Sequence, residues 1–195
     1  MRWIARVLLA LAVAAGASAA AQPARYEIDP EHFSVGFLVD HIGYAKVLGL
    51  FQKAGGSYTF DEKTLAVSEV QIVIEAASVF TGHRRRDDHL RSADFLNARE
   101  FPRIVFKADG AKRTGERSFV IEGVLELLGR SQPVSLQATW NKSGPYELPG
   151  SRAYVMGVSA RGSFKRSAFG MTYGVANGWV GDTVELILEF EARRQ

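Results

Sequence analysis

The chain has 195 residues, of which 47% are apolar, 23% are charged and 11% are aromatic, and it contains no cysteine. This composition is typical of a globular protein and excludes disordered and collagen-like classes. The formal net charge is +3, and Arg2 and Arg6 supply two of the positive charges, so the rest of the chain is nearly neutral. We therefore expect no electrostatic binding of nucleic acid. The lack of cysteine also excludes thiol catalysis, cysteine-bound zinc and iron–sulfur centres.

Residues 1–21 have the organisation of a cleavable signal peptide. A short basic segment is followed by an unbroken apolar run over residues 7–15, and two Ala-x-Ala cleavage sites follow. The apolar run is too short and too rich in alanine to predict a transmembrane anchor. We expect cleavage before Gln22, export to the periplasm, and a mature chain of residues 22–195 that forms one domain.

Apolar residues alternate with polar ones along most of the mature chain. Such alternation predicts antiparallel strands that each have one buried face and one solvated face. In chain order, the apolar faces comprise Phe33, Val35, Phe37 and Val39; Val70, Ile72, Ile74 and Ala76; Ile104, Phe106 and Ala108; Phe119, Ile121, Gly123, Leu125 and Leu127; Val134, Leu136, Ala138 and Trp140; Tyr154, Met156, Val158 and Ala160; and Val184, Leu186, Leu188 and Phe190. With segments near 47–51 and 57–60, about eight or nine strands result, which predicts an all-β barrel or sandwich.

The segment 81–102 interrupts the alternation. Its charges cluster, and we predict a short helical segment near residues 87–98. Within it, Ser92 is the expected N-cap of a helical turn over residues 92–96, and Pro102 stops any helix. Histidines and aspartates of this segment could in principle bind a metal, but their spacing favours a solvated loop with local ion pairs. We therefore expect neither a metal site nor an acid–base pair here.

His41 extends the first apolar stripe by one position, so its ring is expected to point into the interior. A buried imidazole needs a hydrogen-bond partner. Two interpretations remain open: a structural histidine with such a partner, or a polar group that faces a ligand. A barrel of about eight strands can hold one small ligand, and a solid core is the alternative.

Several strings resemble, in the same order, the YceI-like family. They are residues 26–34, 39–43, 47–51, 60–61, 81–95, 101–106, 123–129, 133–134 and 166–170. Together they span most of residues 26–191. The sequence departs from the family pattern at residues 96–97 and 130–132. The resemblance implies an exported protein with an extended antiparallel, lipocalin-like β-barrel that binds polyisoprenoids.

By this resemblance, the inward stripes line a tunnel for a quinone, a polyprenyl chain or a similar amphiphile, and the protein acts as a carrier or scavenger without a cofactor. The expected ligand-binding residues are Phe33, Val35, Phe37, His41, Ile72, Ile74, His89, Phe106, Leu125, Leu136, Trp140, Met156, Arg166, Phe169, Trp179 and Leu186. Of these, His41, His89 and Arg166 are expected at the polar end of the ligand. Phe169 and Trp179 are expected to close the mouth of the barrel, with a plain surface loop as the alternative.

Two other functions remain as alternatives. An enzyme could act on a small amphiphile in the same cavity, and His41 would then belong to its acid–base pair. A partner protein of a membrane redox or transport complex would instead carry an exposed apolar patch outside the barrel. The expected partners are an isoprenoid or another long-chain amphiphile, with transient membrane contact and a homodimer across the mouth as further candidates.

Overall fold

Antiparallel strands form almost all of the secondary structure in the computed structural model, which describes residues 22–195. The signal peptide predicted for residues 1–21 lies outside the described residues. The strands are β1 (Ala24–His41), β2 (Ala45–Phe51), β3 (Ala54–Asp61), β4 (Ala66–Glu75), β5 (Val79–Phe80), β6 (Arg103–Ala108), β7 (Lys112–Arg113), β8 (Ser118–Leu127), β9 (Arg130–Pro145), β10 (Tyr154–Lys165) and β11 (Val180–Arg194). Within residues 22–195, one α-helix, α1 (Arg84–Arg91), and two short 3-10 helices, Ala76–Ser78 and Arg166–Phe169, complete the elements. Within residues 22–195, every helix is too short or too polar to traverse a bilayer.

Eight of these strands close into a barrel in the order β1, β3, β4, β6, β8, β9, β10 and β11, and β11 pairs again with β1. The long strand β1 makes this closure feasible because its first half pairs with β3, its second half pairs with β2, and β11 follows nearly its whole length. The short strands β5 and β7 extend β2 and β8 at their edges. The predicted antiparallel, lipocalin-like barrel of about eight strands is confirmed.

The barrel has two ends that differ in their connections. The mouth end carries the β1–β2 turn, the long segment 76–102, the β8–β9 turn and the connection 166–179. The far end carries the turns after β3, β6 and β9. Inward side chains follow the predicted stripes, as in β9, where Val134, Leu136 and Ala138 are buried. The sequence pattern therefore placed the core correctly along the strands.

The helix differs from its prediction. It spans Arg84–Arg91 rather than residues 87–98, and His83 caps its start by accepting a 3.3 Å hydrogen bond from the Arg86 backbone N–H. Ser92 lies at the opposite end from the one predicted, where its hydroxyl donates to the His89 carbonyl oxygen at 2.7 Å. The α1 sequence is almost entirely polar, so it has no apolar stripe that would have located its ends.

The charged cluster of α1 forms local contacts, as expected. The Asp87 carboxylate is buried and accepts hydrogen bonds from the Thr81 backbone N–H at 2.8 Å and from the Thr81 hydroxyl at 2.5 Å. Asp88 pairs with Arg91 at 3.1 Å and lies 3.9 Å from Arg84. Asp87 therefore anchors the start of the helix to the preceding loop.

Candidate functional site

A cavity of about 590 Å³ occupies the half of the barrel that faces the mouth end. This size lies within the range of ordinary small-molecule sites. Among the predicted ligand-binding residues, the following line it: Val35, Phe37, His41, Ile72, Ile74, His89, Phe106, Leu125, Leu136, Arg166, Trp179 and Leu186. Its inner wall is made of aliphatic and phenyl side chains, and its polar residues are gathered at the mouth. An apolar body would be buried there with a polar group near solvent.

A smaller cavity of about 60 Å³ lies deeper in the barrel. Trp140 and Met156 of the predicted set line this second space, and Ile72 and Leu136 contribute to the walls of both. The deep cavity adds little volume, so Trp140 and Met156 lie beyond the main site rather than in it.

Two predicted residues line neither cavity. The Phe33 ring packs edge-on against the Phe190 ring, with 5.6 Å between centroids. Phe169 is buried behind Phe164, 5.3 Å between ring centroids, and Phe164 itself faces the main cavity. The expected role of Phe169 in closing the mouth does not agree with this position, because its ring supports the wall from behind. Trp179 does lie at the mouth and is exposed.

His41 lines the edge of the cavity, as predicted, but it is exposed, so the expectation that its imidazole is buried is wrong. Among residues 22–195 its side chain has no hydrogen-bond partner. The reason lies in the length of β1: His41 is its last residue, and the turn begins there with a 3.1 Å hydrogen bond from the Tyr44 N–H to the His41 carbonyl oxygen. The alternating stripe thus runs past the rim of the barrel.

Arg166 is 1% exposed and holds the connection 166–179 together. Its guanidinium donates to the backbone carbonyl oxygens of Met171 (2.9 Å), Tyr173 (2.8 Å), Val180 (2.8 Å) and Gly181 (2.8 Å). It also lies 5.8 Å from the centre of the Phe95 ring. Burial lowers the pKa of Arg166, and the nearby Asp182 carboxylate opposes that change. Arg166 therefore organises the mouth, and most of its donors are used for that purpose.

His89 is the other predicted polar residue at the mouth. Its ring contacts the Phe95 and Tyr173 rings edge-on, at 4.9 Å between centroids in each case. Its Nε2 atom lies 2.8 Å from an oxygen of Asp94. These contacts fix the orientation of the imidazole and join α1 to the connection that carries Tyr173.

Much of the cavity wall comes from residues that sequence reasoning missed. They lie outside the alternating strands, in the β1–β2 turn, the segment 76–102 and the connection 166–179, where no periodicity marks an inward side chain. They include Ile42, Val79, Leu90, Phe95, Leu96, Met171 and Tyr173. Their apolar character in otherwise polar segments is the one signal that the sequence offers.

The far end of the barrel is filled by packed aromatic side chains. Tyr26 stacks on Tyr58 with 5.3 Å between ring centroids. Tyr26 and Tyr154 each donate a 2.8 Å hydrogen bond to the carboxylate of Glu62. Burial, together with the hydrogen bond to Glu62, raises the pKa of Tyr26. The Phe60 ring packs edge-on against the Trp140 ring. Access to the main cavity is therefore from the mouth end.

Three solved structures resemble this fold. BcnA of Burkholderia cenocepacia is 20% identical with a TM-score of 0.74, covering 84% of this chain and 98% of its own. The YCEI protein of Campylobacter jejuni is 24% identical with a TM-score of 0.69, covering 80% and 90%. A polyisoprenoid binding domain from Saccharophagus degradans is 14% identical with a TM-score of 0.66, covering 89% and 100%.

Sequence comparison identifies the family. The proteins named Protein YceI from Salmonella arizonae and from Salmonella enteritidis PT4 are each 38% identical over 174 residues, which is 88% of this chain and 88% of each relative. The model of the YceI-like domain matches residues 26–192. With that match over nearly the whole described barrel, the chain belongs to the YceI-like domain family.

Proposed function

We propose that this protein is an exported carrier or scavenger that binds a polyisoprenoid, such as a quinone or polyprenyl chain, or a similar long amphiphile. The observation that carries the proposal is the apolar cavity of about 590 Å³, which opens at one end of the barrel. A structural neighbour from Saccharophagus degradans, described as a polyisoprenoid binding domain, supports the same class of ligand.

The chemistry of the cavity wall favours binding through the chain of the ligand rather than its head group. Burial of each methylene contributes about 0.8 kcal/mol, and one polar contact contributes about 1 kcal/mol net. A chain of many methylenes therefore contributes more than a single polar contact at the head group. Deep residues such as Ile72, Phe106 and Leu136 offer only apolar atoms from their side chains. We infer that these side chains set the affinity and that polar residues near the mouth set the orientation.

The test is to purify the exported protein without detergent, extract it with organic solvent and identify the bound species by mass spectrometry. The proposal expects one isoprenoid species in near-stoichiometric amount, or stoichiometric uptake of an added polyprenol or quinone. An empty extract together with failure to take up either added compound would overturn it.

A matched pair of variants links this result to the cavity. Leu125 lines the cavity, and its neighbour Val124 is 49% exposed on the opposite face of β8. Leu125→Trp should fill the cavity and abolish uptake, whereas Val124→Trp should leave uptake unchanged. If Leu125→Trp unfolds the protein, Ile74→Phe offers a smaller increase in volume at another lining position. Equal uptake by folded variants of both faces would contradict the proposal.

An enzyme acting on a small amphiphile is a second candidate, and one contact favours it. The His89–Asp94 pair at the mouth joins an imidazole to a carboxylate at 2.8 Å, which is an arrangement that can position a general base. Under the carrier proposal, His89→Gln and His41→Gln retain the bound lipid. Unchanged lipid content, together with loss of conversion of an added quinone or polyprenol, would favour the enzyme.

A role as a partner protein is a third candidate because the outer surface carries an apolar strip. Leu48 and Leu50 on β2 and Phe80 on β5 are 55%, 40% and 43% exposed. Leu50 and Phe80 are directly paired across the two strands. A Leu48→Ser, Phe80→Ser variant that binds lipid normally but fails to support the function of the wild-type protein in cells would favour this alternative.

Export to the periplasm belongs to the same proposal and rests on residues 1–21. Their basic start, apolar run and Ala-x-Ala sites support removal of a leader. The intact mass of protein recovered from the periplasm should correspond to a chain that begins at Gln22 or Ala20. Protein that stays in the cytoplasm with Met1 in place would contradict export.

A further inference from the structure

The rim of the cavity carries exposed apolar side chains that the barrel does not need for its core. Tyr44 is 89% exposed, Trp179 is 53% exposed, Ile42 is 49% exposed and Tyr173 is 39% exposed. We call these four residues the mouth patch. A soluble protein gains nothing by leaving such side chains in water, and clustered exposed apolar groups mark an interaction surface.

The mouth patch is one connected surface. The backbone N–H of Ile42 donates a 3.2 Å hydrogen bond to the carbonyl oxygen of Trp179, which ties the β1–β2 turn to the connection 166–179. Ile42, Tyr173 and Trp179 all line the cavity. Three of the four residues of the patch therefore lie at the opening of the cavity.

Positive charge lies beside this patch. The helix α1 carries four arginines against two aspartates, and the Asp87 carboxylate is buried against Thr81. The Arg84 side chain is 95% exposed, and within residues 22–195 Arg85 makes no side-chain hydrogen bond or ion pair. Residues 170–179 include no charged side chain. Exposed carboxylates also lie at this end: Asp40 lines the cavity, Asp88 pairs with Arg91 and lies 3.9 Å from Arg84, and Asp94 contacts His89. Arg85 and Arg86 line the cavity, and within residues 22–195 neither forms an ion pair, so positive charge remains at the rim.

This combination of groups fits a lipid surface. Tyrosine and tryptophan favour the boundary between head groups and acyl chains, where the ring is in an apolar layer and its polar atom is wet. Arginines close to such a boundary are attracted to anionic head groups. Binding to a protein partner would require a patch of defined shape that complements the partner's surface. The mouth patch instead consists of exposed side chains on the β1–β2 turn and the connection 166–179 beside an opening.

We propose that the mouth end docks on a membrane containing anionic phospholipid, with Tyr44, Ile42 and Trp179 entering the interface and Arg84 and Arg85 contacting the head groups. This inference rests on the proposed function, since it supplies the route by which a lipid chain passes between bilayer and cavity. It goes beyond ligand binding because it names the surface that meets the membrane and the type of lipid that attracts it.

The test uses the protein recovered after export, with removal of the leader verified by its intact mass. The protein is mixed with vesicles of phosphatidylglycerol or of phosphatidylcholine, and the bound fraction is measured by flotation. We expect at least about tenfold tighter binding to the anionic vesicles, and weaker binding at high salt. Tyr44→Ser with Trp179→Ser should weaken binding by about tenfold or more, and Arg84→Gln with Arg85→Gln by about 25-fold.

Matched controls come from the far end of the barrel. Leu148 is 60% exposed in the turn after β9, and Lys112 is exposed on β7. Leu148→Ser and Lys112→Gln remove the same types of group away from the mouth, so they should leave vesicle binding unchanged. Equal losses from far-end and mouth-end variants would overturn the docking geometry.

A spectroscopic measurement locates the contact directly. Tryptophan occurs at positions 3, 140 and 179, and Trp3 lies in the predicted leader. In a Trp140→Phe variant of the exported protein, Trp179 is therefore the single tryptophan, and its fluorescence can be excited selectively over that of the tyrosines. Brominated phosphatidylglycerol should quench it and shift its emission to the blue. An unquenched signal from vesicle-bound protein would overturn the proposal.

The outcomes separate docking from ligand binding. Protein that contains an isoprenoid but ignores both kinds of vesicle contradicts docking and leaves the proposed function intact. Protein that binds anionic vesicles yet neither contains nor takes up an isoprenoid contradicts the proposed function alone. A vesicle-independent dimer that Tyr44→Ser disrupts, with no vesicle binding, overturns docking and assigns the mouth patch to a second copy of the chain.

Discussion

Gly49 lies directly beneath the Phe37 ring: a Cβ atom at position 49 would be 2.1 Å from Cζ of Phe37. The two residues are paired across β2 and β1, and the Phe37 ring lies over the space that the missing side chain leaves. Phe106 has the same relationship to Gly123, whose Cβ would be 2.4 Å from its Cζ atom. Two phenyl rings of the cavity wall are thus seated on glycines, which fixes how far they project into the cavity.

Gly49→Ala should therefore push the Phe37 ring from its place. We expect the free energy of unfolding to fall by about 1–3 kcal/mol, as is typical of overpacking, and ligand content to fall as well. Urea unfolding and mass spectrometry of the extract measure the two effects. Gly157 is the control, because its nearest neighbour would be 3.9 Å from a new Cβ. Gly157→Ala should change stability by less than about 1 kcal/mol. Similar behaviour of both variants would contradict this account of Phe37.

Arg166→Met should be among the most destabilising single substitutions at the mouth. It leaves four buried or partly buried carbonyl oxygens without their donor, and each buried unsatisfied group costs about 1–3 kcal/mol. We expect the free energy of unfolding, measured by urea titration, to fall by at least about 3 kcal/mol. Arg166→Lys should recover part of the lost stability, because lysine keeps the positive charge and can still donate hydrogen bonds. The recovery should be incomplete, because lysine has fewer donors than arginine. Wild-type stability of Arg166→Met would show that the loop does not depend on these bonds.

Tyr58 and Tyr26 offer a contrast between two stacked rings. Within the described residues, the buried Tyr58 hydroxyl has no hydrogen-bond partner, whereas the Tyr26 hydroxyl donates to Glu62. Tyr58→Phe should leave the protein as stable as the wild type or up to about 1 kcal/mol more stable. Tyr26→Phe should cost about 1–3 kcal/mol because the acceptor is charged. Thermal and urea unfolding of the two variants measure this difference, and the reverse order would contradict the assigned partners.

Asp29 makes stability depend on pH in the acid range. Burial on its own raises the pKa of Asp29, but hydrogen bonds from His32, the Glu31 backbone and Arg193 outweigh it, so the net change in pKa is downward from 3.8. A lowered carboxyl pKa contributes stability above the unfolded value, and that contribution is lost as pH falls through the folded value. Asp29→Asn should therefore be less stable than the wild type at about pH 5, and the difference should shrink as pH falls through the folded-state pKa of Asp29.

Urea unfolding of both proteins across this range checks the prediction. His32 complicates the interpretation at higher pH because its pKa is raised, chiefly by its hydrogen bond to Asp29. Its contribution is present below its ordinary pKa and is lost as pH rises through the folded value. The comparison is therefore made below about pH 5, where His32 is protonated in both states. A difference that stays constant down to the acid limit would contradict the role of Asp29.

The strands were predictable because one physical rule governs them. Side chains of a strand alternate between two faces, so residues such as Phe106, Leu125 and Leu136 had to share the interior once the barrel was assigned. The rule says nothing about where a strand leaves the barrel wall. For that reason the alternation predicts a buried ring at His41, which instead lies exposed at the rim of the cavity.

The structure of the mouth was much less predictable because contacts between residues distant in sequence hold it together. Arg166 binds carbonyl oxygens that are up to fifteen residues away along the chain, and His89 contacts Tyr173 from another segment. Neither contact follows from spacing. Family resemblance predicted that Arg166 and His89 contact the ligand, and both line the cavity. The structure shows in addition that each helps to hold the mouth together, which the resemblance did not indicate.

The filled far end and the open mouth end determine the order in which the parts of a ligand enter and leave the barrel. A long molecule that enters such a barrel must come out in reverse order, so the end that goes in first emerges last. A ligand cannot enter at one end of the barrel and leave at the other. A protein of this shape that carries a ligand between two membranes would have to present the same mouth to each membrane in turn. It would therefore have to rotate between taking up and releasing the ligand, and the rate of transfer would depend on its diffusion across the intervening space.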